Sequence, residues 1–317
     1  MLGPYPANLN DAEILRTLLQ DPNGLCKLLK ENDIMVLDRG FRDVKAELEL
    51  KKIRVLMPAL KGKRKQLTTK ESNESRYVTK IRWAVEAVHG ILKQKYQLLD
   101  HKLDNKMLPK IGTYFRIASF INNQFGKRLQ SDAEFSSEII EKMRVSKDIE
   151  NTLAAEAEEK GWLRKKLIFQ SISSDMSNFP EMTIKDLTIL FTETYQLSQA
   201  VSYLAEMIDK DGQIKVQYIK EQSDVLKLQV PSRHINRKMY RCFLKYKPNS
   251  VGISGLLQYA CDCANGSRTV GCCSHVAAIV YYLAHARCLS KILKLAEIFS
   301  EIFQQNNIFK QNNHSCH

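Results

Sequence analysis

Residues 261–284 read CDCANGSRTVGCCSHVAAIVYYLA, and their reading decides the fold of the C-terminal half. Four cysteines and one histidine fall between Cys261 and His275, although the whole 317-residue chain has eight cysteines and seven histidines. Zinc takes thiolate and imidazole ligands that converge as a tetrahedron. Cys261 and Cys263 form a Cys-x-Cys pair that a tight turn can aim to one side. Cys273 and His275 form a Cys-x-His pair that a helix start can aim at the same point. Gly266 and Gly271 stand where the intervening loop must turn sharply. The apolar run from Val276 to Ala284 reads as part of a helix, Ser274 to Arg287, that packs on the strands before it.

Other readings of the cluster are weaker. Cys272 can take the place of Cys273 or sit in the core as a small apolar residue, and the Cys-x-His spacing favours Cys273. His234 lies near enough in sequence to be considered as a ligand, but its spacing points to a surface residue. An iron–sulfur cluster usually takes all-cysteine ligation. Disulfides need an oxidising compartment. The N-terminus, MLGPYPANLNDAE, is polar and turn-rich and shows no secretory signal. The longest apolar run is far too short to span a bilayer, so an intracellular chain with no membrane partner is expected.

Upstream of the cluster, IKVQYI, VLKLQV and MYRCFLKY read as strands. The segment from Pro231 to Lys247 interleaves Arg233, Arg237, Lys238, Arg241, Lys245 and Lys247 with Tyr240, Phe243 and Tyr246. Such a mixture either binds phosphates and stacks on bases or forms a strand with one solvated basic face. Arg268 reads as a phosphate contact on the exposed metal loop. Further upstream, one apolar-periodic helix is expected over about Ile184 to Ile208.

The formal net charge is +13, and it is unevenly spread. From Lys61 to Arg128 there are sixteen Lys or Arg against five Asp or Glu, and the balance turns acidic after Gln130. A partner rich in phosphates, DNA above all, is expected. Lys61, Lys63, Arg64 and Lys65, in KGKRK, read as a phosphate-binding loop or a nuclear import signal. Apolar content of 44% and charged content of 26% exclude a globally disordered chain.

The N-terminal part carries a second constellation. Ile34 to Leu37 read as a buried central strand, with Asp38 at its end, Gly40 at the turn and a helix from Phe41 to Lys51. Asp38 either begins a turn or holds a divalent ion. Tyr77, Ile81, Val85, Val88 and Leu92 follow helical spacing and read as a buried face. Glu86 then lies on another face, between Arg82 and Lys93. It is either paired with Arg82 one turn away or a metal-binding carboxylate flanked by phosphate-holding cations. Trp83 and Trp162 read as packing residues.

Two resemblances follow from these residues. The pattern Cys-x-Cys, spacer, Cys-x-His, with SRTVGCCSHVAAIVYYL, resembles the SWIM zinc finger over residues 225–288. That implies a ββα module with one structural zinc on Cys261, Cys263, Cys273 and His275, and association with DNA and with protein partners. GPYPANLNDAEIL, VLDRGFRD, VLMPA and ESRYVTKIRWAVEAVHGILK resemble DDE transposases of the Harbinger-like group over residues 3–127. The resemblance implies an RNase H-like domain that uses magnesium or manganese. Asp38 matches the second catalytic Asp, Glu86 the catalytic Glu, and Arg82 and Lys93 the flanking cations. Asp11 matches an acidic position other than the first catalytic Asp. The strand carrying that first Asp would precede Met1, so an incomplete nuclease site is expected.

The expected fold is therefore α+β. It comprises an incomplete RNase H-like α/β domain over 1–130, a helical linker over 131–213, a small ββα zinc module over 214–290, and a helix with a frayed tail over 291–317. The expected function is a zinc-binding, transposase-derived DNA-binding protein in the nucleus. An active metal-dependent DDE endonuclease and a non-enzymatic SWIM adaptor are the alternatives.

Overall fold

The structure is a computed structural model that describes residues 5–6, 8–126, 135–164, 170–171, 176–207, 217–222, 224–233 and 235–288. Expectations for His234 and for residues 291–317 lie outside the described residues. The chain divides into two compact units, Met1–Leu60 with Glu74–Asp132, and Lys61–Asn73 with Ala133–His317.

In the first unit, α1 (Asp11–Gln20) opens on a capping box. Asn10 Oδ1 accepts from the Glu13 amide at 2.9 Å, and the Glu13 carboxylate accepts from the Asn10 amide at 3.2 Å. Two amides that the helix leaves unpaired are thereby satisfied. Strand β1 (Ile34–Val36) pairs in parallel with β2 (Arg54–Leu56). A 3₁₀ stretch, Arg39–Val44, and α2 (Lys45–Leu50) make the crossover. The helix expected over Phe41 to Lys51 thus begins as the tighter form. Ala12, Leu15, Leu19, Leu37, Val44, Leu48 and Ile53 form the core. Two long helices follow, α3 (Thr69–Lys95), whose residues up to Asn73 belong to the second unit, and α4 (Leu108–Phe125).

Two expectations fail in this unit. β1 is not a buried central strand: Ile34 is 51% exposed, because among the described residues β2 is its one partner. The stripe expected to be buried on α3 is also open, with Ile81 57% and Val85 59% exposed, whereas Leu92 is buried. Periodicity marks a face that wants cover, but burial needs a second element to supply it. Trp83 is likewise exposed.

The second unit contains α5 (Ser136–Ser146), α6 (Thr152–Glu159), β3 (Gln170–Ser171), α7 (Ile184–Phe191), α8 (Thr194–Met207), β4 (Gln217–Gln222), β5 (Val225–Pro231), β6 (Met239–Tyr246), β7 (Leu256–Cys261) and α9 (Ser274–Ala284). The strands form one antiparallel sheet in the order β3-β4-β5-β6-β7. Alternate residues of β5 enter two cores. Leu226, Leu228 and Val230 join α7, α8 and α9 on one face. Val225 meets Leu153, Ala157, Trp162 and Phe243 on the other. Each such aliphatic side chain, once buried, stabilises by roughly 1.5–3 kcal/mol.

The module is thus larger than ββα, and helices α7 and α8 share its main core. The single helix expected over 184–208 breaks at Thr192, which adopts a left-handed φ of 68° between α7 and α8. Helix α9 is apolar almost all round. Val276 to Tyr281, Leu283 and Ala284 are all buried, as the composition of VAAIVYYLA requires of a helix with no solvated face.

Candidate metal centre

β7 delivers Cys261 at its C-terminal end, and the chain turns at once. Cys261 N donates to Gly266 O at 3.0 Å, and Gly266 N donates to Cys263 O at 3.0 Å. The turn closes so tightly that a Cβ on Gly266 would lie 2.0 Å from the Cys261 carbonyl oxygen. The loop returns through Gly271, whose φ of 61° favours glycine. Cys273 is the N-cap residue of α9, and His275 sits in its first turn.

These elements bring one ligand atom each from Cys261, Cys263, Cys273 and His275 within 4.8 Å of one another. Cys261 Sγ lies 3.8 Å from His275 Nδ1. Around a tetrahedral zinc, bonds of about 2.3 Å to sulfur and 2.0 Å to nitrogen separate neighbouring donors by roughly 3.5–3.8 Å. The residues therefore fit zinc, and four donors are the number that a closed tetrahedral site takes. Cys272 is buried but stands outside the group, leaving Cys273 in it.

The three thiols are buried and perturb one another. Burial pushes the Cys261 thiol well up, and its hydrogen bond to Cys261 does the same to Cys263. Hydrogen bonds from Cys261 and Cys263 pull Cys273 well down. The His275 ring is held between Tyr240, at 4.3 Å, and Tyr203, at 5.2 Å.

Several supporting residues were not recognised from the sequence. Cys242 pairs with Cys261 across β6 and β7, and burial raises its thiol to about 11. Asn151 donates to the carbonyls of Tyr259 and Ser267 at 2.8 and 3.0 Å. Tyr259 Oη lies 3.2 and 3.1 Å from the carbonyls of Thr269 and Gly271. Only the cross-strand register of β6 and β7 could have flagged Cys242, and no local spacing announces the other two.

The basic candidates differ in how far their partners and burial occupy them. Arg64 forms a two-pronged pair with Glu71 at 2.8 and 2.9 Å. Arg241 lies 3.6 Å from Asp262. Arg268 is half-buried and donates to the Cys272 carbonyl, so it braces the loop instead of standing exposed on it. Lys61 donates to the Arg64 carbonyl. Lys63, Lys65, Arg237 and Lys238 are exposed, and Lys93 is exposed within 4.0 Å of Asp100. The strand β6 offers no aromatic stacking face: Phe243 packs on Trp162 and Tyr246 on Phe179, both in the interior. Tyr240 is taken up by His275 and Lys238.

Asp38 and Glu86 do come together, but around a cation. Arg82 Nη2 lies 2.9 Å from Asp38 Oδ2 and 3.4 Å from Glu86 Oε1. Asp38 also caps the following turn by accepting from Gly40 N at 2.8 Å. Asp11 approaches that turn, since its Oδ2 lies 2.4 Å from where a Gly40 Cβ would stand. Among the described residues, the Cys and His group is the one set of three or more donors within ligand reach. Two half-exposed carboxylates bridged by a guanidinium do not fit magnesium or manganese, which need several convergent oxygens.

Residues 3–123 match the family model described as DDE superfamily endonuclease, so the N-terminal part of the chain carries a domain of that type. No curated protein and no solved structure matches the chain. Among the described residues no helix is long and apolar enough to cross a membrane.

Proposed function

We propose that the chain is a transposase-derived DNA-binding protein, in which a SWIM-type module folded around one structural zinc accompanies an RNase H-like domain with an incomplete cleavage site. The convergence of three sulfurs and one imidazole within 4.8 Å carries the reading. Four protein donors close a zinc site and leave no position for a reacting water, so the metal supplies folding free energy and no chemistry. DNA as partner is supported by the endonuclease-type match and by the cationic excess between Lys61 and Arg128. Lys63, Lys65, Lys93, Arg237 and Lys238 are the cations best placed to meet phosphates. Nuclear residence follows from the DNA reading, with KGKRK as the import signal.

Purified protein should contain one zinc per chain by elemental analysis. Its affinity for duplex DNA should fall steeply with salt, because each phosphate contact releases counterions. Absence of zinc would remove the module. Absence of DNA binding even at low salt would instead favour a protein-interaction adaptor. Nicking of supercoiled DNA in magnesium or manganese should be equally absent from the parent and from Asp38→Ala. Metal-dependent nicking lost in Asp38→Ala would establish an active endonuclease.

A further inference from the structure

The zinc loop is held by a segment that lies about 195 residues earlier in the chain. Gln66 Nε2 lies 2.6 Å from the Cys261 carbonyl oxygen and 2.8 Å from that of Cys263. Both partners are acceptors, so the amide nitrogen must face them, and its two N–H bonds serve one carbonyl each. These carbonyls belong to two of the four metal-binding residues. Gln66 thus fixes the backbone from which two of the sulfurs project, and a shift of that backbone would strain or break a bond to it.

Neighbouring residues extend the grip. Leu67 N donates to Ala264 O at 3.0 Å, Leu67 O accepts from Ser267 Oγ at 2.9 Å, and the Leu67 side chain is buried. Asn73, also buried, accepts from the amides of Thr269 and Val270 at 2.9 and 3.1 Å. Its Nδ2 donates to Thr269 Oγ1 and to Lys147 O, both at 2.8 Å. The segment's own shape is fixed where α3 begins, by Thr68 N donating to Glu71 Oε2 at 3.0 Å and by the Arg64–Glu71 pair. Both ends of the metal loop, from Cys261 to Val270, are therefore tied to residues 66–73.

We propose that Gln66 is a positioning residue of the metal centre, and that residues 66–73 form a strap whose docking and the metal's binding support each other. This rests on the zinc reading of the Cys and His group. A metal that fixes the loop in the shape the strap binds must, by linkage, be bound more tightly when the strap is docked. Gln66 is an outer-shell group of the kind whose loss weakens metal binding about 10- to 100-fold.

The test uses the full chain. Co²⁺ is titrated and followed by the visible bands of a tetrahedral thiolate site, and Zn²⁺ is then added in competition. Gln66→Glu keeps the shape but turns an acceptor on two carbonyls, and should weaken Zn²⁺ binding about 10- to 100-fold. It should also displace the Co²⁺ bands. Gln66→Lys restores a donor and should recover most of the affinity. Trypsin should cut the parent after Lys61, Lys63, Arg64 or Lys65 much faster in a chelator than with Zn²⁺ bound. Unchanged affinity in Gln66→Glu overturns the proposal, as does equal loss in both variants, which would mark a structural role only. Cleavage indifferent to the metal overturns the strap. Failure of the parent to bind Co²⁺ or Zn²⁺ is a different result, and removes the zinc reading itself.

Discussion

Replacing Gly266 by alanine tests the metal loop at its tightest point. The new Cβ would stand 2.0 Å from the Cys261 carbonyl oxygen and 2.7 Å from Cys261 Cβ. The oxygen is backbone and cannot swing aside, so the turn must open. Opening breaks Cys261 N to Gly266 O and Gly266 N to Cys263 O, both 3.0 Å. Each such bond contributes about 1 kcal/mol net, and a buried group left unpaired adds about 1–3 kcal/mol. The loss should thus be roughly 3 kcal/mol, shared between folding of the second unit and its hold on zinc. A thermal melt of the zinc-loaded chain should show the unit's midpoint falling by about 6–12 °C. A chelator competition should show weaker zinc binding, by up to about 100-fold if most of the loss falls on the metal. Both readouts at parental values would refute the reasoning, because the turn would then tolerate a side chain that its geometry forbids.

Cys273→Ser should purify without stoichiometric zinc, whereas Cys272→Ser should keep it, as elemental analysis would show. Arg237→Ala combined with Lys238→Ala should weaken DNA binding evenly across sequences and reduce the slope of log affinity against log salt by about two, as read by a salt titration. The Arg64 guanidinium holds the Glu71 carboxyl at about 2, against an ordinary 4.5. A depressed carboxylate stabilises the fold above its unfolded value and ceases to do so as pH falls through the folded one. Urea melts should therefore show the gap between the parent and Glu71→Gln constant above pH 4.5 and closing towards pH 2.

The convergence of the Cys and His group was legible because its members are local. Cys261 to His275 span one turn, one loop and one helix start, and spacing alone records the geometry. The residues that brace it were not legible, since Gln66, Asn73 and Asn151 reach it across about 100–200 positions, and no local pattern encodes that meeting. Phe243 and Tyr246 read either as stacking residues or as part of a strand with one solvated basic face, and both readings leave one side of the strand open to solvent. Among the described residues β5 and β6 carry buried side chains on both faces, and Phe243 and Tyr246 each face an interior. Ile81 and Val85 stand open for the opposite reason: helical spacing marks their common face, but it does not supply an element to cover it, and among the described residues none does. Thr192 shows a third limit, because nothing in a threonine's identity announces the left-handed conformation that it takes between α7 and α8.

Charge separates the metal from the proposed DNA contact. Zinc held by three thiolates and a neutral imidazole carries net negative charge, and it lies among buried cysteines. Such a centre repels a phosphate instead of recruiting one. Arg241 cannot reverse the sign, because Asp262 lies 3.6 Å from it. Two carboxylates against one guanidinium leave the Asp38, Arg82 and Glu86 cluster negative as well. On the proposed reading, phosphates are met by the exposed cations Lys63, Lys65, Lys93, Arg237 and Lys238, and zinc acts on DNA binding by keeping the module folded. Replacing zinc by cobalt, which accepts the same four donors, should leave DNA affinity unchanged, whereas stripping the metal should abolish the share carried by Arg237 and Lys238.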